Sequence, residues 1–265
     1  VTVVVPVLDD ADQLRTCLAA LAAQTRPADE VIVVDNGSSD GSADVALAAG
    51  ATVLHEPVRA IGAAAARGYD AARGELIARI DSDTVVPADW IERAVAWFDD
   101  PMVAAVTGPG HFRGLGPLAS LFWQAAYMRA YFLLMTAALA RPPLFGSNML
   151  LTAAVWRAVR GRVHRADPLV HDDVDLAFQL DPAWRTVLDR SLAVSVSGSP
   201  VRDASGLVLR VRKAYRTIRL AGVRGVPTLR FLRRLAAGPR TPPPILAPEP
   251  GPHVTDPDPE PSRPT

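Results

Sequence analysis

Five short, largely apolar runs, separated by stretches with helical periodicity, leave residues 1–107 few folds to choose from. Val1, Val3, Val4 and Val5 make the first run and Pro6 closes it. A polar turn, Asp9-Asp10-Ala11-Asp12, leads into Leu14, Leu18 and Leu21 at helical spacing, with Asp9, Asp10 or Asp12 placed to cap that helix. Residues 30–34 form a second run, ending in Asp35-Asn36-Gly37-Ser38-Ser39-Asp40. The pattern then predicts a helix over 41–49, a strand over 51–54 and a helix over 60–73 stopped by Gly74. A strand over 75–80 follows, ending at Asp81-Ser82-Asp83-Thr84, then a helix over 90–98 and a strand over 103–107. Apolar runs alternating with helices predict an α/β fold with a mostly parallel central sheet flanked by helices. Ligands of such sheets lie beyond the carboxyl ends of the strands. The acidic turns at Asp35 and at Asp81/Asp83 fall there.

Composition narrows the functional classes. With 265 residues, 49% of them hydrophobic, the chain can bury the core of one large domain or two small ones. Lys+Arg and Asp+Glu balance at 28 each, so net charge makes no case for a nucleic-acid partner, and none is expected. The single cysteine, Cys17, excludes an internal disulfide and is expected to be buried beside Leu14, Leu18 and Leu21. The first residues show neither a basic n-region nor a small-residue cleavage site. The expected location is cytoplasmic, with a peripheral site on the cytoplasmic face of a membrane as a variant.

Three acidic blocks carry the candidate chemistry. In Asp81-Ser82-Asp83, two carboxylates flank one residue at a strand end and can face one cavity. A divalent cation held there neutralises a diphosphate and stabilises it as a leaving group. Oxygen ligands of this kind suit Mg²⁺ or Mn²⁺. Asp35 stands where it can accept hydrogen bonds from a base or ribose, and Asn36-Gly37-Ser38 supply a tight turn with exposed backbone donors. No phosphate-binding P-loop occurs, and Gly108, Gly110, Gly114 and Gly116 lack dinucleotide-fingerprint spacing. In His171-Asp172-Asp173-Val174-Asp175-Leu176, one carboxylate can take the proton of a sugar hydroxyl. Others can serve the amino end of the helix that follows.

Val3-Val4-Val5-Pro6, the run from Ile32 through Asp35 to Asp40, Gly74 through Asp83 to Thr84, Gly146-Ser147-Asn148-Met149 and the His-Asp-Asp-x-Asp-Leu block stand in an order that resembles the GT-A family 2 glycosyltransferases. The resemblance covers roughly residues 1–190. It implies a single GT-A domain and inverting transfer from a nucleotide-diphosphate sugar, UDP-sugar first, with GDP- and dTDP-sugars as the other options. It also implies a divalent metal and a hydroxyl acceptor. By the same resemblance Pro6, Val7 and Asp9 line the base pocket and Asp35 binds the base. Asp81 and Ser82 lie at the ribose and phosphates, and Asp83, with Asp81, holds the metal. Gly146, Ser147, Asn148 and Met149 shape the sugar and acceptor side. Asp173 is the base, with Asp172 second choice, and Trp184 is either core or an acceptor platform. The chain departs from the pattern where Ala60, Ala65 and Ala66 replace a glycine and an Arg-Asn pair, although Arg67 survives beside them and Arg59 lies just upstream.

The expected organisation is a transferase domain over 1–200, with a nucleotide-binding half to 107 and an acceptor and base half from 108. A basic amphipathic helical extension follows over 201–238, then a proline-rich disordered tail over 239–265. Residues 115–140 are long, apolar and aromatic, close to a membrane-spanning length. Arg129 and the flanking acidic blocks point instead to a buried or interface-lying helix beside the acceptor. Residues 201–240 carry eleven basic residues against one acidic, Asp203, which suits an anionic membrane surface or a lipid-linked phosphate. By the family resemblance, Arg212 and Lys213 are its candidates for the donor diphosphate. The rival readings are a sugar nucleotidyltransferase, for which residues 8–13 lack the glycine-rich basic loop, and a degenerate fold serving as a membrane-surface scaffold, which the alanines at 65 and 66 favour.

Overall fold

A computed structural model describes residues 1–114, 128–197, 204–236 and 243. The strands are β1 (Thr2–Val7), β2 (Glu30–Asp35), β3 (Thr52–His55), β4 (Leu76–Arg79), β5 (Val103–Thr107), β6 (Gly110–Arg113), β7 (Met149–Thr152), β8 (Arg185–Leu188) and β9 (Val194–Ser197). Seven of them form one sheet in the order β3-β2-β1-β4-β7-β5-β8. All neighbours are parallel except β7, which runs antiparallel to β4 and β5. Strands β6 and β9 make a separate parallel pair. The chain is α/β with a mostly parallel central sheet, as its periodicity predicts.

The helices are α1 (Ala11–Ala22), α2 (Ser42–Ala48), α3 (Ile61–Ala71), α4 (Trp90–Val95), α5 (Arg129–Leu139), α6 (Ala153–Val159), α7 (Asp172–Gln179), α8 (Ala204–Ala221) and α9 (Pro227–Ala236). Helix and strand limits follow the sequence reading closely. The main difference is at 96–99, where the helix after Trp90 tightens into a 3₁₀ turn. Side-chain alternation along β1 shows how the sheet is covered. Val3, Val5 and Val7 join Leu14 and Cys17 of α1 and Trp90 of α4 in one core. Val4 joins Ala64, Ala65 and Tyr69 of α3, Trp156 of α6 and Phe178 of α7 in the other. Both faces of the strand are therefore buried, which is why its sequence is a continuous valine run.

The C-terminal helices pack onto this body. The His171 N–H donates to Thr217 Oγ1 at 2.9 Å, and Arg216 pairs with Asp167. Arg230 of α9 is buried, donating to the carbonyls of Leu139 at 3.0 Å and Phe178 at 3.1 Å, with its guanidinium over the Phe178 ring. Arg234 donates to the carbonyl of Ala140. The two arginines thus supply donors to carbonyls at the carboxyl end of α5, which its own ladder leaves unpaired. They also hold Ala140 at φ 55°, where a side chain costs about 1–2 kcal/mol. Of the apolar stretch over 115–140, residues 115–127 lie outside the described residues, as does nearly all of the proline-rich segment.

The closeness of α3 to the sheet sets a test. A Cβ on Gly68 lies 2.3 Å from Val4 Cγ1 and 3.1 Å from Val34 Cγ2. Helix propensity favours alanine by up to about 1 kcal/mol, but a clash with central strands costs about 1–3 kcal/mol. Gly68→Ala is expected to lower the urea midpoint, and a raised midpoint would show that α3 can move away from β1.

Candidate active site

The site begins where β1 and β2 end and their turns are stitched together. Asp9 sits at φ 51°, a left-handed conformation that aspartate tolerates better than most residues. Its N–H donates to Ser38 Oγ at 3.0 Å and its carboxylate accepts from the Ser39 N–H at 2.7 Å. Arg59 lies 3.8 Å from the same carboxylate. Asp35 is buried at the end of β2, accepts from the Ser38 N–H at 3.0 Å, and faces His55 Nδ1 at 3.5 Å. Asn36 donates to the carbonyls of Glu56 and Val58, drawing that loop against the turn. Asp10 does occupy the N-cap position of α1, but its side chain turns away and accepts from Ser82 Oγ at 2.7 Å. The carboxylate that receives the Ala11 N–H is that of Asp40, from the neighbouring turn, at 2.8 Å.

Arg79, the last residue of β4, joins the acidic blocks. Its guanidinium is 2% exposed, lies 2.8 Å from Asp81 Oδ1 and 2.6 Å from Asp172 Oδ2. The other Asp81 oxygen accepts from Ser147 Oγ at 2.6 Å. Gly146 lies directly over the guanidinium, since a Cβ there comes within 2.5 Å of Nη1. The N–H of Gly146 donates to Asp173 Oδ2 at 2.9 Å. Asp172 and Asp173 open α7, where the helix dipole favours negative charge. Sequence reasoning passed over Arg79, although a lone arginine within the run Leu76-Ile77-Ala78-Arg79-Ile80 was the signal: a guanidinium in a buried strand needs carboxylate partners.

Burial and the charge of Asp81 push Asp83 up to about 6. Burial pushes Asp172 up to about 6 as well, with Asp173 and Asp81 adding to it and Arg79 opposing it. Burial alone lowers Arg79, but Asp172 and Asp81 outweigh that and hold it charged, above its ordinary range. One Asp83 oxygen accepts from the Ser197 N–H at 3.2 Å, and the other has no protein donor among the described residues. Cys17 is fully buried as expected, with its thiol 3.8 Å from the Asp81 carbonyl and pushed up to about 12, chiefly by burial.

Several expected site residues are placed differently. Asn148 and Met149 are fully buried. The Asn148 amide is consumed internally, accepting from Trp90 Nε1 at 2.9 Å and donating to the Leu192 carbonyl at 2.6 Å. Only Gly146 and Ser147 of that block touch the acidic cluster. The Val7 side chain lies in the core and its carbonyl accepts from the Asn36 N–H, while Pro6 is buried in the β1–β2 register. Trp184 precedes β8, whose first residue pairs with the first residue of β5. It therefore sits at the opposite end of the sheet from Asp81, packed against the core. Arg67 is exposed on α3. Among the described residues no hydrogen bond or ion pair links Arg67, Arg212 or Lys213 to the acidic cluster. Ala65 and Ala66 are buried and, with Gly62 and Asp172, border a cavity of about 20 Å³, into which fits about one water. The Tyr69 hydroxyl on its wall has no partner among the described residues.

The donor set suits a hard divalent cation. Among the described residues no three or more His, Cys, Asp or Glu side chains gather to hold an ion unaided. Mg²⁺ and Mn²⁺ commonly take one or two carboxylates and complete their shell with substrate phosphates and water. Asp83 has the open oxygen for that, and Asp81, with both oxygens engaged, stands beside it.

Comparison with known proteins bears on the family and the fold. Glycosyl transferase family 2 matches residues 2–133. The chain is 31% identical over 120 residues to glycosyltransferase AglE of Haloferax volcanii, covering 42% of this chain and 40% of that one. It spans about a quarter to a half of the length of the curated relatives it matches. Mannosyltransferase PcManGT of Pyrobaculum calidifontis, solved with GDP-Man and Mn²⁺, superposes with a TM-score of 0.60 at 21% identity, over 89% of this chain and 73% of that one. Glucosyl-3-phosphoglycerate synthase of Mycobacterium tuberculosis, solved with Mn²⁺, UDP and glucosyl-3-phosphoglycerate, gives 0.60 at 19%, over 84% and 80%. Residues 2–133 thus belong to glycosyl transferase family 2, on a GT-A fold.

Removing Arg79 strands a buried carboxylate. Arg79→Met is expected to cost about 3–5 kcal/mol, and Arg79→Lys less, in urea denaturation followed by circular dichroism. Full stability of Arg79→Met would show that desolvation cancels the ion pairs.

Proposed function

We propose that this chain transfers a sugar from a nucleotide-diphosphate donor to a hydroxyl acceptor, with inversion, and that Asp173 is the general base. The observation that carries the reading is the placement of Asp173. Gly146 aims its carboxylate, and Gly146 itself rests on the Arg79 guanidinium that also holds Asp81. The base and the diphosphate side are thereby parts of one rigid cluster. Asp172 is the weaker candidate, since its carboxylate is ion-paired with the Arg79 guanidinium at 2.6 Å, whereas Asp173, among the described residues, accepts only from the backbone N–H groups of Gly146 and Val174.

In this reading Asp35 and the stitched turns at Asp9 and Ser38 receive the nucleoside. Asp83, with Asp81, holds a divalent cation that, when bound, offsets the charge of the leaving diphosphate. Asp173 takes the proton of the acceptor hydroxyl as its oxygen bonds to the anomeric carbon. The bond from that carbon to the diphosphate oxygen breaks, and the electron pair leaves with the diphosphate. Attack from the face opposite the leaving group inverts the anomeric centre. UDP-sugar remains the first choice of donor, supported by the likeness to a synthase solved with UDP, with a GDP-sugar next, supported by the mannosyltransferase.

Asp173→Asn is expected to bind donor and metal normally and to lose at least about a hundredfold in transfer rate. Near-normal transfer would remove Asp173 from the role. Asp83→Ala is expected to abolish the Mn²⁺-dependent part of a thermal shift with UDP-, GDP- and dTDP-sugars. A flat panel with the unaltered chain would favour the scaffold reading.

A further inference from the structure

Helix α9 is turned the wrong way for a surface helix in water. Its basic face carries Arg230, Arg233 and Arg234, and Arg230 is only 3% exposed, locked onto carbonyls of α5 and α7. Its opposite face carries Phe231, Leu232 and Leu235, which are 56%, 58% and 65% exposed. Helix α5, which Arg230 and Arg234 tie to α9, likewise exposes Leu133 and Leu134 at 72% and 67%. Single exposed leucines are ordinary, but an amphipathic helix with its apolar side outward is not.

The neighbouring helix supplies the matching charge. Among its described side chains, α8 exposes Arg212, Tyr215, Arg216 and Arg219 along one face. Residues 204–236 contain nine basic side chains and no acidic one. A recess of about 260 Å³ is lined by Leu169, Arg212, Tyr215, Arg216, Arg219 and Leu220. Arg216 is paired with Asp167, and Arg212 and Arg219 have no acidic partner among the described residues. No helix among the described residues is long and apolar enough to cross a membrane.

We infer that α8 and α9 dock the protein on an anionic lipid surface: the outward apolar side of α9 enters the interface, and Arg212 and Arg219 meet lipid phosphates. Outward apolar residues together with basic side chains are what binding at a membrane interface requires, and basic residues near an anionic leaflet strengthen it. The inference rests on these helices alone and is independent of the role proposed for Asp173.

Flotation of the full chain with vesicles of phosphatidylcholine, with or without phosphatidylglycerol, tests it. The chain is expected to float with the anionic vesicles at low salt and to dissociate as salt rises. Phe231→Glu with Leu235→Glu is expected to weaken partitioning about tenfold or more, with the circular dichroism spectrum unchanged because both residues face solvent. Arg212→Glu with Arg219→Glu should remove the preference for anionic lipid. Equal recovery with and without vesicles would overturn the proposal. So would a concentration-dependent dimer, seen by size-exclusion with light scattering, that Phe231→Glu breaks while vesicle binding stays unchanged. In that case a second copy covers the face.

Discussion

One buried guanidinium holds the site in a single arrangement. Arg79 ends a central strand, has 2% of its side chain exposed, and bonds to Asp81 in the turn just after that strand and to Asp172 on α7. Such a charge is costly to bury without partners, so two carboxylates must come to it. Everything nearby follows from that demand. Residue 146 is glycine because any side chain would meet the guanidinium. The Gly146 N–H then reaches Asp173, and Ser147 reaches the second oxygen of Asp81. Strand β7, inserted antiparallel between β4 and β5, delivers this glycine-serine pair from a part of the chain far removed in sequence.

The ends of the first strands are organised by a different device, a set of short polar bonds among three turns. Asp9 with Ser38 and Ser39, Asp10 with Ser42 and Ser82, and Asp40 with the first turn of α1 tie the ends of β1, β2 and β4 together. Burial raises Asp10, and the charge of Asp40 adds to the rise. With Asp81 and Asp83 close by, this end of the sheet is rich in negative charge, and a divalent cation carrying a diphosphate is the physical complement of such a place. The opposite case is Arg230, where basic side chains are spent on carbonyls inside the protein and apolar ones are left outside.

Much of the fold was legible because both faces of the parallel strands are buried, so valine-rich runs such as 31–34 can be read without knowing their neighbours. The three acidic blocks were legible for a similar reason, since each sits immediately after a strand or at the start of a helix. What could not be read was direction. Asn148 lies in the same short block as Gly146 and Ser147, yet its amide faces inward to Trp90 and Leu192. Trp184 follows the last acidic block by a few residues, yet chain reversal through α7 carries it to the far end of the sheet.

By itself the sequence determined the α/β class, the order of elements and the chemical character of the site, because hydrophobic periodicity and residue type are local properties. Tertiary structure alone decided which carboxylates share a partner and which face of α9 meets solvent. It also decided that the two oxygens of Asp81 are engaged while one of Asp83 has no protein donor among the described residues. Those outcomes depend on contacts such as Arg79 with Asp172, formed between residues 93 apart in the chain, and no local pattern encodes which of several nearby carboxylates will close such a pair.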